Sequence, residues 1–432
     1  MEQLKNTAKL SLEALKNNGA DKGQVSVGYS VTHEFNVDGG EFSLFRTLFD
    51  KHLVLTAIKD GKKGTVRQNR YDEDTVMSLA AECVMTAESS VPDQAWDFAD
   101  KKVDVDYVYG TIKPDNEKLF ARSRELLKDI KERYPKIIVE QMIIEHKEIC
   151  KVYANSYGVL VSTNYGYYNV DLMYSGHDGD KASSFFGGGF TTETLDKPFI
   201  EYSTVAKDLS DVEKQVYTSS VEGKFEGVVL LPPSSLGEFL YYSISNFADD
   251  GAILQGTSPW KDSLGKVVAD TALTVSSNPL DDRIVCDSRI TGEGFIAENY
   301  DIIKDGVLQN FSLSLYVANK TGLNRAPNDS LSLVVREGDK KLNDIISSIK
   351  KGIIVGRFSG GQPSSNGDFS GVAKNSFLIE DGKVTTALSE TMISGNLADM
   401  LKNVYAISDE QICDGSSVLP HIAFNGITIS GK

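Results

Sequence analysis

Residues 136–190 constrain the fold of this chain more than any other segment, because short apolar stretches alternate with polar residues along their whole length. Ile137-Ile138-Val139 and Val159-Leu160-Val161 are two of these stretches, and Asn155-Ser156-Tyr157-Gly158 is typical of a turn between strands. Such alternation indicates half-buried β-strands. The segment therefore predicts an antiparallel meander whose apolar face is covered by helices, an α+β arrangement.

Helical spacing in the first half of the chain supplies that cover. It occurs at the start of the sequence and again in residues 75–87 and 208–218. A longer helix is predicted for residues 116–134, with Asp115 as its N-terminal cap. Residues 58–66 are predicted to join two strands as a hairpin. These elements belong together as one mixed helix and sheet unit.

A change in composition after Gly223 divides the chain into two predicted domains. Residues 227–231 form a short apolar strand, and Ser234 is predicted to cap the helix that follows it. Short strands and Gly-, Asn- and Ser-rich turns then dominate, with a few helices between them. We therefore predict an N-terminal α+β domain of residues 1–222 and a β-rich C-terminal domain of residues 223–432.

Charge and hydropathy restrict the partners of the chain. With 45 Lys and Arg against 61 Asp and Glu, the formal net charge is −16, so nucleic-acid phosphates would be repelled and no nucleic-acid partner is expected. No stretch approaches the roughly 18 apolar residues of a membrane span, so no membrane partner is expected and a cytoplasmic location is predicted. Four scattered cysteines are predicted to be free, mostly buried thiols: Cys83, Cys150, Cys286 and Cys413.

The spacing of the histidines excludes the commonest metal-hydrolase motif. The two closest are His33 and His52, which are 52 − 33 = 19 positions apart, so no two histidines share one helical turn as in HExxH. A metal site assembled from residues that are distant in sequence remains an alternative. Surface or hydrogen-bonded structural histidines are favoured for all five, which are His33, His52, His146, His177 and His421.

Other catalytic motifs are missing from the sequence as well. It contains neither a GxSxG nucleophile turn nor a P-loop, and residues 358–363 are predicted to be a plain turn. Asp249-Asp250 and Asp281-Asp282 are adjacent acids whose side chains diverge on a strand or a helix. Both pairs are therefore predicted to lie in solvated turns.

A series of motifs in the last third carries a family resemblance. The motifs are Asn366-Gly367-Asp368-Phe369-Ser370-Gly371, Glu380-Asp381-Gly382, Leu388-Ser389-Glu390, Gly395-Asn396-Leu397 and Gly426-Ile427-Thr428-Ile429-Ser430-Gly431. In this combination the chain resembles the TldD/PmbA family, also described as modulators of DNA gyrase. The resemblance extends over nearly the whole chain, since Gly19-Ala20-Asp21 is similar too.

This resemblance implies two domains and a two-subunit peptidase. The TldD-like subunit type carries HExxxH and a downstream Cys as zinc ligands, whereas the PmbA/TldE-like type lacks them and completes the substrate channel. In this sequence no histidine occurs between His177 and His421. Leu240, Tyr241 and Ser245 stand where the zinc motif would be expected, so the chain resembles the PmbA/TldE side.

Three polar residues of the motif series are candidates for contact with the substrate channel. Asp368 and Ser370 could present a carboxylate and a hydroxyl on a loop that faces a cleft. The alternative is turn chemistry, in which short polar side chains bond nearby backbone groups. Asn396 could contact substrate or cap the helix that follows it. Residues 287–294 depart from the family's Asp-x-Glu-Gly stretch, which alters the expected channel contacts.

The sequence thus favours a non-catalytic, PmbA/TldE-like subunit of a TldD/TldE-type metallopeptidase that acts on unfolded or leader peptides. No cofactor is expected on this chain, and zinc is expected in a TldD-like partner subunit. The alternatives are a homodimeric regulatory or peptide-binding protein without protease activity, and a peptidase with a non-standard site on this chain.

Overall fold

The computed structural model describes residues 1–285, 288–389 and 391–432. Its α-helices are α1 Glu2–Asn17, α2 Glu73–Glu88, α3 Asn116–Arg133, α4 Val205–Lys214, α5 Pro233–Phe247, α6 Asp250–Leu254, α7 Leu315–Thr321, α8 Leu342–Ser348 and α9 Leu397–Lys402. A short 3-10 helix, Phe199–Glu201, precedes α4.

The strands of the first half are β1 Lys22–Asp38, β2 Glu41–Lys59, β3 Lys62–Gln68, β4 Val103–Gly110, β5 Ile137–Asn155, β6 Val159–Asp178, β7 Lys181–Ala182 and β8 Phe186–Thr192. Those of the second half are β9 Lys224–Leu231, β10 Val275–Ser277, β11 Tyr300–Lys304, β12 Val307–Leu308, β13 Leu333–Val335, β14 Lys351–Gly360, β15 Asp368–Glu380, β16 Lys383–Leu388, β17 Thr391–Asn396, β18 Val404–Cys413 and β19 Val418–Ser430. Strand therefore dominates both halves, and the predicted α+β class is confirmed.

The first half folds around one sheet of very long strands, in the order β3-β2-β1-β5-β6-β4 with β7 and β8 on β6. Side chains alternate along a strand, so Val25, Val27 and Phe35 of β1 point to one face. Helices α1 and α2 pack over the first two of these side chains. Helices α3 and α4 belong to the apolar cluster that contains Phe35. Two pairs of helices thus cover two ends of the same sheet face.

The second half contains a sheet in the order β12-β11-β10-β13-β19-β17-β15-β14-β9. Strand β19 also pairs with β9, so β19, β17, β15, β14 and β9 close into a ring. Helix α5 packs against this ring through buried Leu236, Phe239, Leu240 and Phe247, which join the large apolar cluster of this half. The side of α5 that faces away from the cluster is thereby left free to line a surface depression.

Several local predictions are confirmed. Asp115 caps α3 by accepting a hydrogen bond from the Lys118 amide, at 2.9 Å. The hairpin predicted for residues 58–66 joins β2 to β3. Cys83 and Cys150 are free and buried, and Cys413 is free and partly buried. Cys286 lies outside the described residues.

Two local predictions are wrong. Ser234 does not cap α5: the cap is Pro232, no side chain caps the helix, and Pro233 occupies the first turn, where its missing N–H costs nothing. Residues 358–360 are not a turn, because β14 continues through them in register with β15. The antiparallel meander predicted for residues 136–190 is confirmed, because β6 pairs antiparallel with both β5 and β8. Strand β4, Val103–Gly110, was not predicted, and it pairs in parallel with β6.

No helix in the described part of the chain is both long enough and apolar enough to cross a membrane.

Candidate functional site

A depression of about 230 Å³ lies beside the C-terminal half of α5, and we call it the acidic cleft. Tyr241, Ile244 and Ser245 of α5 line one side of it. The other sides come from the segments before α6 and α7, from residues 291–293 and from residues 325–331. Its charged lining residues are Asp249, Asp250, Glu293, Asp329 and Arg325. Among the residues that the structure describes, four carboxyl groups face one guanidinium here, which makes this an acidic surface.

The helix that lines the acidic cleft carries no metal ligand at the positions compared above. Leu240 is 2% exposed and packs in the apolar cluster, so it points away from the cleft. Tyr241 is 48% exposed and shares the cleft wall with Ser245, one helical turn later. Among residues 1–285, 288–389 and 391–432, no three His, Cys, Asp or Glu side chains come together as a possible metal site.

Burial shapes the electrostatics of the acidic cleft. Loss of solvent raises the pKa of Asp249, and it raises the pKa of Glu293 with a further contribution from nearby Asp329. Loss of solvent also lowers the pKa of Arg325, whose guanidinium lies 3.5 Å from the centre of the Phe295 ring. The cleft therefore holds carboxyl groups that a cationic or hydrogen-bond-donating ligand would stabilise.

Backbone groups fix two of these carboxylates in place. Asp250 Oδ1 accepts a hydrogen bond from the Ser314 amide at 2.9 Å, and Ser314 Oγ in turn caps α7. Asp329 Oδ2 accepts a hydrogen bond from the Gly292 amide at 2.6 Å. Carboxylates held by backbone donors cannot swing freely, so the cleft presents its charge in a fixed arrangement.

The N-terminal half reaches the edge of the acidic cleft through residues 93–99. The Trp96 ring stacks on the Tyr316 ring of α7 with centroids 3.8 Å apart. Lys63 Nζ also lies over the Trp96 ring, 4.1 Å from its centroid. Asp93 accepts hydrogen bonds from the Tyr316 hydroxyl and from Lys320 Nζ, both at 2.9 Å. The lysine lowers the pKa of Asp93 to about 2.

A second contact between the halves explains a glycine next to the cleft. The Ala99 amide donates to the Glu293 carbonyl at 2.9 Å. Gly294 has a φ of +95°, and a Cβ there would lie 2.4 Å from the Tyr153 hydroxyl oxygen of β5. Only glycine fits both demands. The cleft wall is therefore fastened to the first sheet as well as to α5.

The structure brings two of the three predicted channel residues together, away from the acidic cleft. Asn396 Nδ2 donates to Asp368 Oδ1 at 2.8 Å, and Asn366 Nδ2 donates to Asp368 Oδ2 at 2.9 Å. These donors lower the pKa of Asp368. Asn396 Oδ1 accepts from the Ala398 and Asp399 amides, so its predicted role as a helix cap is confirmed.

The third predicted residue, Ser370, is exposed on β15, two residues after Asp368 and opposite Ser394 of β17. None of Asp368, Ser370 and Asn396 lines the acidic cleft. Their contact with a substrate channel stays a prediction. Glu390 of the same motif series, and Asp287 of the divergent stretch, lie outside the described residues.

The charged residues that line the cleft either were not predicted from the sequence or were assigned a different role. Asp249 and Asp250 were predicted to be solvated turn residues, but Asp249 is partly buried and both line the cleft. Glu293, Arg325 and Asp329 gave no motif, because their positions are set by loop packing rather than by spacing along the chain. The one local signal was the Asp249-Asp250 pair directly after a predicted helix.

Comparisons of sequence and of fold both point to proteins of the PmbA and TldD type. Residues 224–431 match the model of the PmbA/TldA metallopeptidase C-terminal domain. The chain is 23% identical to the metalloprotease PmbA of Escherichia coli O157:H7 in an alignment covering 99% of this chain and 96% of that one. It is 26% identical to a metalloprotease of Methanocaldococcus jannaschii over 235 residues. This alignment covers 52% of this chain and 51% of that relative.

Two solved structures have the same fold. TldE from Thermococcus kodakarensis superposes with a TM-score of 0.85 at 20% identity, covering 98% of this chain and 100% of that one. A Bacteroides thetaiotaomicron protein described as a modulator of DNA gyrase superposes with a TM-score of 0.89 at 22% identity, covering both chains completely, at 100%. The likeness therefore includes the first sheet, outside the matched family model.

Proposed function

This chain belongs to the PmbA/TldD family, and from that premise we propose that it is the non-catalytic, PmbA/TldE-like subunit of a TldD/TldE-type metallopeptidase complex. Zinc and the catalytic groups belong to a TldD-like partner in this proposal. The chain contributes a surface that receives peptide, and the complex acts on unfolded or leader peptides in the cytoplasm.

One observation carries the proposal: α5 has Leu240, Tyr241 and Ser245 at the positions where the zinc motif of a TldD-like subunit is expected. An imidazole binds zinc through a nitrogen lone pair, whereas a phenol and an alkyl alcohol are protonated at neutral pH and bind weakly. A cleft with this lining can hold a peptide but cannot activate water through a helix-borne zinc.

The cleft's charge supports a peptide ligand. A peptide in extended conformation offers backbone N–H donors, and basic side chains or a free amino end add positive charge. Asp249, Glu293 and Asp329 would accept these donors, and Arg325 could bind a peptide carbonyl. The fixed Asp250 and Asp329 carboxylates reduce the entropy lost on binding.

The test is to purify the chain alone and together with a TldD-like subunit from the same genome. We expect the chain alone to bind no stoichiometric zinc and to leave a flexible peptide intact. We expect the pair to form a complex with one zinc per TldD-like subunit and to cleave the peptide. Metal analysis, light scattering and a fluorescent peptide assay measure the three properties.

Two results would contradict the proposal. Stoichiometric zinc together with cleavage by the chain alone would assign a non-standard catalytic site to it. Failure to associate with any zinc-motif relative, together with self-association and peptide binding, would instead favour the homodimeric regulatory protein. A TldD-like subunit with its first motif His replaced by Ala serves as the control, because the complex should form but cleave nothing.

A further inference from the structure

A larger cavity, of about 820 Å³, lies between the two halves of the chain and shares no lining residue with the acidic cleft. Helix α4 of the first half forms one wall of this interdomain cavity. Strands β9, β14, β15, β16, β18 and β19 and helix α8 of the second half form most of the rest, and Phe186 of β8 and Ser234 of α5 also line it. Its volume falls within the range of about 300–1,000 Å³ that is usual for small-molecule sites.

Apolar atoms supply most of the exposed surface of the interdomain cavity, but polar and charged residues line it as well, among them Lys207, Asp208, Lys214 and Glu410. Leu230, Ile354 and Phe377 contribute aliphatic and aromatic surface from three adjacent strands. Such a lining favours an apolar body, because water leaves both surfaces on binding. The orientation of that body would be set by the polar groups, which are therefore informative about the ligand.

Two buried polar groups that line the cavity lack a hydrogen-bond partner. Asn375 is 7% exposed, and no described residue donates to its side-chain oxygen, Oδ1. His421 Nδ1 is likewise buried without a partner among the described residues. A buried acceptor without a donor costs about 1–3 kcal/mol, so a ligand that donates hydrogen bonds is favoured here.

Asp208 of α4 adds a carboxyl group without a counter-ion. Its Oδ2 accepts a hydrogen bond from Thr204 Oγ1 at 2.5 Å. Lys207 and Lys214 both pair with Asp211 instead, so within the described residues no Lys or Arg forms an ion pair with Asp208. Loss of solvent around this carboxyl, with a contribution from nearby Asp211, raises its pKa to about 7. A ligand cation would remove the cost of ionising it.

We propose that the interdomain cavity is a binding site for a molecule that joins an ammonium group to an apolar body. The ammonium binds the Asp208 carboxylate and donates to Asn375 Oδ1, and the apolar body lies on β9, β14 and β15. Two sources have this chemistry: the free amino end of an apolar peptide and a small apolar amine. The site is separate from the acidic cleft and does not depend on a zinc-bearing partner.

Calorimetric titration of the full chain, without any partner, tests the proposal. The probes are leucyl-phenylalaninamide with a free amino end, its N-acetyl derivative, and phenethylamine. We expect the free dipeptide amide to bind with a Kd on the order of 10–100 µM. Acetylation should weaken binding at least tenfold. Phenethylamine that binds as well as the dipeptide amide assigns the site to small amines, and binding at least tenfold weaker assigns it to peptide ends.

Asp208→Asn keeps the size of the side chain and removes its charge, so it should weaken binding of the free dipeptide amide at least tenfold. Glu82→Gln is the matched control, because Glu82 is an exposed carboxyl on α2 that does not line the cavity, and this variant should bind within about twofold of the native chain. Ser234→Trp, at an exposed lining position, should obstruct the cavity and weaken binding at least fivefold.

The proposal is overturned by any of three outcomes. These are no binding of either ammonium probe at millimolar concentration, equal binding of the acetylated dipeptide amide, and unchanged binding to both Asp208→Asn and Ser234→Trp. If Asp208→Asn does not fold, Ser234→Trp and the acetylated probe decide the question alone. Since no TldD-like subunit is present, failure here leaves the proposed function of the complex unaffected.

Discussion

Asp208 shows how one carboxyl group links stability to pH in this fold. In the unfolded chain it ionises near its ordinary pKa of 3.8, but in the folded chain only near about 7. Between these two values the folded state holds more protons than the unfolded state, so this group's contribution to stability falls as the pH rises through that window.

Asp208→Asn should therefore gain stability relative to the native chain as the pH rises. The expected difference is small near pH ~4 and reaches roughly 2–4 kcal/mol at pH ~8, at about 1.4 kcal/mol per pKa unit. Urea denaturation at several pH values measures it. Glu82→Gln provides the reference, and an Asp208→Asn curve parallel to that of the native chain would show that Asp208 is ionised without cost.

Asn396 is a second residue whose role is local and measurable. Asn396→Ala removes the cap of α9 and one donor to Asp368. We expect a loss of about 1–2 kcal/mol in the free energy of unfolding. Ser370→Ala, at an exposed position on the same strand as Asp368, should change it by less than about 0.5 kcal/mol. Equal losses in the two variants would contradict the assigned cap.

At the level of elements, α5 presents two side chains to the acidic cleft one helical turn apart. Tyr241 and Ser245 are four residues apart and line the same cleft, with Asp249 and Glu293 opposite them. Histidines at this spacing point in the same direction, as a zinc site requires. Two imidazoles at these positions would therefore face the same cleft.

The double variant Tyr241→His with Ser245→His should therefore bind about one zinc ion per chain, with a cleft carboxylate as a further ligand. The native chain and the single variant Tyr241→His should bind zinc at least tenfold more weakly, because the native chain lacks both imidazoles and the single variant lacks one. Equilibrium dialysis with metal analysis distinguishes them. Zinc binding by the single variant as tight as by the double variant would place the metal elsewhere.

At the level of the whole molecule, residues 93–99 join the halves beside the acidic cleft. Trp96→Ala removes the ring stacked on Tyr316 and the contact with Lys63. We expect a loss of about 1–3 kcal/mol and faster hydrogen exchange in this segment and in α7. Phe49→Ala is the control, since Phe49 is 73% exposed on the first sheet, and it should change little.

The sequence predicted the fold class because the β pattern of residues 136–190 and the helix at residues 116–134 depend on local periodicity. It underestimated strand length: the separate apolar stretches between Ile137 and Asn155 belong to one strand, β5. The acidic cleft was not predicted, because Asp249, Glu293, Arg325 and Asp329 come together only through packing of loops between distant strands. Periodicity carries no information about such contacts.

The central position of β19 has a consequence for synthesis of the protein in the cell. Strand β19, residues 418–430, pairs with β13, β17, β18 and β9. Four strands that are synthesised earlier therefore cannot complete their pairing until β19 is available. The ring of the second half cannot close while those residues are still inside the ribosome, although the first sheet can already form. Nascent chains would then carry one folded half and one half with exposed strand edges, which makes this interval the stage most exposed to chaperones and to aggregation.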